Sequence, residues 1–251
     1  MENLEQFNYI KENYRRVQEN IREAMAKRRA GSGPVRLLAA TKTVQPDAIL
    51  FAVDHLGLDL IGENRTTELV EKYPALEGRV EQHFIGHLQT NKVKQVVGRV
   101  SLIESVDSLR LAQEIGRRSE MLGITTDILV EINSGREPNK GGVMPENARD
   151  AVREFGLLSG IRVRGLMTMA PVCANIEDSR KYFRETYAIF IDIFEKNKHN
   201  IIEPVLSMGM SDSFEIAVEE GATQVRVGSA LFGRRLYPPK NETAQESSQL
   251  K

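Results

Sequence analysis

Residues 35–61 read VRLLAATKTVQPDAILFAVDHLGLDLI, and their order sets the pattern for the chain. Residues 35–40 are a short apolar run, a turn follows, 47–55 have the spacing of an amphipathic helix, and 58–61 are a second short apolar run. Working outward, the same alternation recurs. The predicted strands are 35–40, 58–61, 80–85, 101–104, 127–132, 163–167, 204–207 and 224–227. Between them the predicted helices are 47–55, 67–72, 91–97, 108–121, 146–157, 176–196 and 212–219, with Asp107 placed to cap the fourth and Gly123 to end it. Strands that alternate with helices and never pair as hairpins must cross back over their sheet, so they lie parallel. Eight of them close into a (β/α)8 TIM barrel, a single-domain α/β fold that takes about 250 residues, and this chain has 251. An open doubly wound sheet is the alternative; against it, no G-x-G-x-x-G follows the first strand.

Upstream of the barrel, Leu4, Phe7, Ile10, Tyr14, Val17, Ile21 and Met25 recur every three or four residues, a helical stripe that Gly31-Ser32-Gly33-Pro34 stops. The expected organisation is an N-terminal helix over 1–30 packed on the outside of the barrel, the barrel over 35–237, and a polar tail over 240–251. Thirty-four Lys and Arg balance 35 Asp and Glu, a net charge of −1, which gives no global attraction to nucleic acid or to an anionic membrane. A hydrophobic fraction of 41% is enough for a buried core and excludes disorder as the main state. No window offers the roughly 18 uncharged apolar residues of a membrane span, and no apolar signal-peptide run opens the chain, so a cytoplasmic protein is expected. Cys173 is the single cysteine; it excludes an internal disulfide and a cysteine-rich metal cage, and is expected as a small buried thiol near a strand end.

In such barrels function collects at the carboxyl ends of the strands. The first strand runs out through Leu38-Ala39-Ala40-Thr41-Lys42, which places a lysine at the barrel mouth among apolar neighbours. Desolvation there disfavours an ammonium and leaves an amine able to attack a carbonyl and form a Schiff base; an ordinary solvated lysine is the alternative. After the seventh strand comes Ser207-Met208-Gly209-Met210-Ser211, and after the eighth Arg226-Val227-Gly228-Ser229-Ala230-Leu231-Phe232-Gly233. Each joins small residues to a helix start, where free N–H groups and the helix dipole favour an anion, although glycines that merely turn the chain would read alike. A lysine facing a phosphate cradle points to an aldehyde phosphate as the ligand.

These residues carry a resemblance. Leu38-Ala39-Ala40-Thr41-Lys42-Thr43, Ile61-Gly62-Glu63-Asn64-Arg65, His83-Phe84-Ile85-Gly86-His87-Leu88-Gln89-Thr90-Asn91-Lys92, Ser207-Met208-Gly209-Met210-Ser211-Asp212 and Val225-Arg226-Val227-Gly228-Ser229 together resemble the pyridoxal phosphate homeostasis proteins. That family comprises stand-alone relatives of the amino-terminal barrel of alanine racemase. The match runs in order over 35–233, with one local departure at Gln82, where an aromatic residue is expected. The resemblance implies that Lys42 holds pyridoxal 5′-phosphate (PLP) as a Schiff base, and that Ser207, the Met208 backbone, Gly228 and Ser229 hold its phosphate. Asn64 would donate to the ring hydroxyl or orient Lys42; on spacing alone it serves equally as a helix cap. Arg226 would face the pyridine nitrogen, which must then accept a hydrogen bond and stay unprotonated, a poorer electron sink; an ion pair with Glu131 is its structural alternative. His83 is expected to pack in the barrel and His87 to hydrogen-bond in a loop, since no third ligand completes a metal site. Lys140, in a polar loop after the fifth strand, is either a second amine that meets the cofactor or a solvated lysine.

Racemisation requires proton-transferring groups on both faces of a planar intermediate. In alanine racemase the second is a tyrosine from a further domain of the partner subunit. This chain ends soon after its eighth strand, with Tyr237 the nearby tyrosine of the carboxyl region. The expectation is a cytoplasmic, monomeric PLP-binding protein that acts in PLP homeostasis by buffering the cofactor or delivering it to PLP-dependent apoenzymes, without strong catalysis and with neither nucleic acid nor membrane as partner. A PLP-dependent amino-acid racemase is the alternative. A lyase acting on sugar phosphates through Lys42 is disfavoured because no general acid lies close to the lysine in sequence.

Overall fold

A computed structural model describes residues 4–31, 33–194 and 204–233. The strands are β1 (Arg36–Ala40), β2 (Leu60–Glu63), β3 (Glu81–Phe84), β4 (Leu102–Val106), β5 (Thr126–Ile132), β6 (Ile161–Thr168), β7 (Val205–Ser207) and β8 (Gln224–Val227). They pair in chain order and in parallel, and β8 returns to β1 through Leu38↔Arg226 and its neighbours, which closes the barrel. The helices are α1 (Asn8–Ala26) ahead of the barrel, then α2 (Pro46–Leu56), α3 (Thr66–Leu76), α4 (Val93–Val96), α5 (Leu109–Met121), α6 (Ala148–Gly156), α7 (Arg180–Phe194), α8 (Phe214–Glu219) and α9 (Ser229–Phe232). The open-sheet alternative is thereby excluded.

Alternation along the strands sorts side chains between two environments. On β1, Leu37 and Ala39 belong to the large core under the helices, while Leu38 and Ala40 pack with Leu60 and Ile85 inside the barrel. Leu102, Leu129, Met167 and Val205 form a second apolar cluster inside it. Between these clusters the barrel holds buried polar groups, His83, Glu104, Ser207, Gln224 and Arg226. Barrel axes are usually filled by branched apolar residues, so a polar interior marks the region where function is to be sought. On the outside, α1 lies against α8 and α9 with Ile10, Val17, Ile21 and Ala24 buried. Asn13 Nδ2 donates to the Leu231 carbonyl at 3.0 Å and Asn20 Nδ2 to Glu215 Oε1 at 2.7 Å.

Several local expectations are corrected. Ser108, not Asp107, is the N-cap of α5, and no side chain caps that helix; the Asp107 carboxylate instead accepts from the Ser108 hydroxyl. Gly123 does terminate α5, with φ +67° and its N–H on the Glu120 carbonyl. The helix read as 67–72 extends to Leu76, because Pro74 sits in the last turn, where few donors are lost, and Leu76 is fully buried. The predicted helix 176–196 opens with a 3-10 turn, Ile176–Ser179, begun by Asn175 Oδ1, which accepts from the Glu177 N–H. Cys173 is half-buried in the loop after β6 rather than buried at a strand end, with its thiol on the Pro171 carbonyl. Lys196, Tyr237 and the tail 240–251 lie outside the described residues.

Candidate functional site

Lys42 leaves β1 in a tight turn closed by the Val44 N–H on the Thr41 carbonyl at 2.9 Å. A cavity of about 350 Å³ opens beside it, lined by Phe7 and Tyr9 from the amino-terminal segment, Asn64 after β2, and Gly228 and Ser229 after β8. That is a size at which small-molecule sites begin. Among the described residues Lys42 Nζ makes no hydrogen bond or ion pair. The cavity thus unites four of the sequence-predicted residues, Lys42, Asn64, Gly228 and Ser229. Asn64 is not a cap: the N-cap of α3 is Arg65, without a side-chain bond. Its backbone is packed so closely on Gly86 that a Cβ there would fall 2.0 Å from the Asn64 carbonyl oxygen, so only glycine lets the β2 and β3 loops meet. The N–H groups of Gly228 and Ala230 both donate to Ser211 Oγ, at 3.1 and 3.3 Å, so backbone donors converge on one oxygen at the rim.

The other three predicted residues, Ser207, Met208 and Arg226, do not line this cavity. Arg226 is buried, and its guanidinium donates to Ser207 Oγ at 2.6 Å and to the Thr168 carbonyl at 2.9 Å. Ser207 Oγ donates to Glu104 Oε2 at 2.6 Å, so its hydroxyl is committed to a network that supports Arg226. Met208 is fully buried, and its N–H donates to the Gln224 carbonyl at 3.1 Å. The carboxylate nearest Arg226 is Glu104, at 4.0 Å, rather than the Glu131 considered from the sequence. Burial pulls the guanidinium down from its ordinary value against the fields of Glu104 and Glu131, yet an arginine remains a cation. Glu131 itself is pushed up by burial and by the nearby charge of Asp107.

Glu104 also accepts from His83 Nδ1 at 2.7 Å and from Gln224 Nε2 at 2.6 Å, and His83 Nε2 meets Glu81 Oε1 at 3.0 Å. Burial alone would lower the His83 pKa, but the two carboxylates outweigh it and raise it, so both ring nitrogens donate. Glu81, bonded to His83, is lowered to about 2. The signs set a pH window. The His83 contribution is complete below its unfolded value, about 6.5, and is lost as pH rises through the higher folded value. The Glu81 contribution is complete above about 4.5 and is lost as pH falls toward about 2. Urea unfolding midpoints should therefore peak between roughly pH 4.5 and 6.5 and decline on both sides. His83→Gln should abolish the alkaline decline, whereas an unchanged alkaline limb in that variant would assign it to another group.

His87 is exposed, 3.6 Å from Asp107. It lines a separate mouth cavity of about 400 Å³ with Glu131, Asn133 and Lys140, whose Nζ bonds Glu137 Oε2 at 2.6 Å. Sequence reasoning missed Phe7 and Tyr9 at the Lys42 cavity and the buried Lys72 beneath the Lys42 turn. The helical stripe signalled only that residue 7 packs, and nothing local distinguishes a buried lysine from a solvated one.

A parallel eight-stranded barrel with a lysine at the end of β1 and an arginine inside β8 is the architecture of one class: residues 12–236 match the family described as alanine racemase, N-terminal domain. The pyridoxal phosphate homeostasis protein of Aquifex aeolicus is 44% identical over 88% of this chain and 96% of its own length. A crystal structure of an unknown protein from Bifidobacterium adolescentis superposes with a TM-score of 0.84 at 35% identity, covering 92% of this chain and 97% of that one. PipY of Synechococcus elongatus, solved with PLP bound, gives a TM-score of 0.72 at 31% identity over 85% of this chain and all of that one. The chain belongs to the pyridoxal phosphate homeostasis protein family.

Proposed function

We propose that this chain binds PLP in the Lys42 cavity and serves its homeostasis, holding the cofactor for supply to PLP-dependent apoenzymes and turning over no substrate at an enzyme's rate. The observation that carries this is the placement of Lys42, without a hydrogen bond or ion pair among the described residues, in one cavity with Asn64, Gly228 and Ser229. The residues suit the cofactor. Donors that now converge on the rotatable Ser211 hydroxyl are matched to a phosphate oxygen, and Asn64 lines the wall.

When bound, PLP supplies an aldehyde carbon to amines and a ring that withdraws electrons. Lys42 provides the amine for covalent attachment. Arg226 can only donate, so a ring nitrogen set against it stays unprotonated and withdraws electrons weakly. Ser207 and the Thr168 carbonyl fix the guanidinium in the barrel. Tyr9, which lines the same cavity, is the observation that favours the second reading, an amino-acid racemase. The monomeric state is inferred from α1, which covers the α8–α9 flank within the chain. Among the described residues no helix is long and apolar enough to cross a membrane, and we infer a cytoplasmic site of action.

Purified protein mixed with PLP should acquire a visible absorption band; a protein that stays colourless and takes up no cofactor overturns the proposal. Solvent deuterium should enter the α-carbon of L-alanine no faster than with free PLP, and exchange at catalytic rates would select the racemase.

A further inference from the structure

The two residues that flank Lys42 are both tied to α3. Lys72 Nζ donates to the Thr41 carbonyl at 2.8 Å and to Glu63 Oε1 at 2.8 Å, and reaches Glu68 Oε2 at 3.3 Å. Glu68 Oε2 accepts the Thr43 N–H at 2.6 Å. The Thr41 hydroxyl donates to Glu63 Oε1 at 2.6 Å and lies 3.2 Å from the Gly62 carbonyl. Lys72 and Glu63 are buried, with side chains 9% and 1% exposed. An ion network whose only work was to join α3 to β2 would need no backbone atom of the Lys42 turn, yet this one takes a carbonyl on one side of Lys42 and an amide on the other.

Thr43 shows what the ties accomplish. Its φ is +66°, a conformation that a β-branched residue adopts only when its surroundings impose it. The carboxylate of Glu68 on the Thr43 amide is the imposed contact, and the reversed backbone that follows leaves Lys42 lining the cavity.

We propose that Glu68 and Lys72 are positioning residues for Lys42: together they hold the Thr41–Lys42–Thr43 turn in the left-handed geometry that presents Lys42 Nζ to an aldehyde. The inference rests on Lys42 as the point of attachment. In that step the neutral amine nitrogen adds to the aldehyde carbon. A carbon–nitrogen double bond forms, and the aldehyde oxygen leaves as water with the two amine protons. Neither Glu68 nor Lys72 touches the reacting atoms; they set the angle and distance of approach, to which such steps are steep.

The test follows covalent attachment of PLP to the full chain by borohydride trapping and mass spectrometry. Beside it, affinity is measured for pyridoxine 5′-phosphate, which has the ring and phosphate but no aldehyde. Glu68→Ala should slow attachment by about tenfold and leave the affinity for pyridoxine 5′-phosphate within about twofold. Adding Thr43→Gly to Glu68→Ala should restore attachment to within about threefold of wild type, because glycine adopts the turn without the Glu68 tie. Glu63→Gln with Lys72→Met, which removes both buried charges together and so avoids stranding one, should show the same slowing and reads the clamp even if Glu68→Ala does not fold. Wild-type attachment rates in Glu68→Ala or in the paired variant overturn the proposal. So does equal loss of attachment and analogue binding with no recovery from Thr43→Gly, the mark of general destabilisation. A wild-type protein that attaches no PLP overturns the Lys42 reading itself, and the clamp falls with it.

Discussion

Lys42→Ala is expected to remove the visible band that the wild-type protein forms with PLP and to leave nothing for borohydride to trap. Lys72 Nζ is bonded to Thr41 and Glu63, and Lys140 Nζ is bonded to Glu137 in a different cavity. Lys42 lines the candidate cavity without such a bond among the described residues. Loss of the covalent link should weaken cofactor binding by roughly 10- to 100-fold, equivalent to about 1.4–2.8 kcal/mol. Because Lys42 joins no network among the described residues, its removal should change folding stability by no more than about 0.5 kcal/mol. Survival of the band would move the attachment to another lysine, with Lys140 first.

Glu104→Ala should be the more damaging change to the fold. Glu104 is fully buried and accepts from His83, Ser207 and Gln224, while its charge faces the buried Arg226. Burial opposes the charge of Glu104, but its partners outweigh that and lower its pKa, so it is ionised at neutral pH. Removing it strands the Arg226 guanidinium inside the barrel, a situation that costs about 3–5 kcal/mol, and leaves His83 with Glu81 as its carboxylate. Glu104→Gln retains an acceptor but not the charge and should cost about 1–3 kcal/mol. Urea unfolding of the two variants checks the order. A loss below about 1 kcal/mol in Glu104→Ala would show that another group balances Arg226. In the variant that remains folded, the loosened guanidinium should weaken PLP binding as well.

The barrel was legible because its signal is local and repeats. Each strand announces itself by a short apolar run, each helix by its spacing, and parallel pairing follows from the alternation. The position of Lys42 was legible for the same reason, since a lysine at the end of the first strand can only stand at the mouth. Less was legible where a residue's role depends on what lies across the barrel. The hydroxyl of Ser207, read as a phosphate ligand, is bonded to Glu104 and Arg226 from β4 and β8. Arg226, weighed against Glu131, has Glu104 as its nearest carboxylate, one strand away from the one considered. Lys72, read as the last residue of a helix, is buried because α3 continues to Leu76 and its side chain reaches back to Thr41.

By itself, then, the sequence determined the barrel, the lysine at its mouth and the chemical class of ligand that a lysine beside anion-favouring loops implies. Only the tertiary structure decided which groups surround that lysine. Phe7 and Tyr9 arrive from the segment ahead of the barrel, and the Glu68–Lys72 ties arrive from the helix after β2. Strand and helix periods follow from backbone geometry within a few residues. Contacts across a closed sheet join positions tens of residues apart and leave no period in the chain to read.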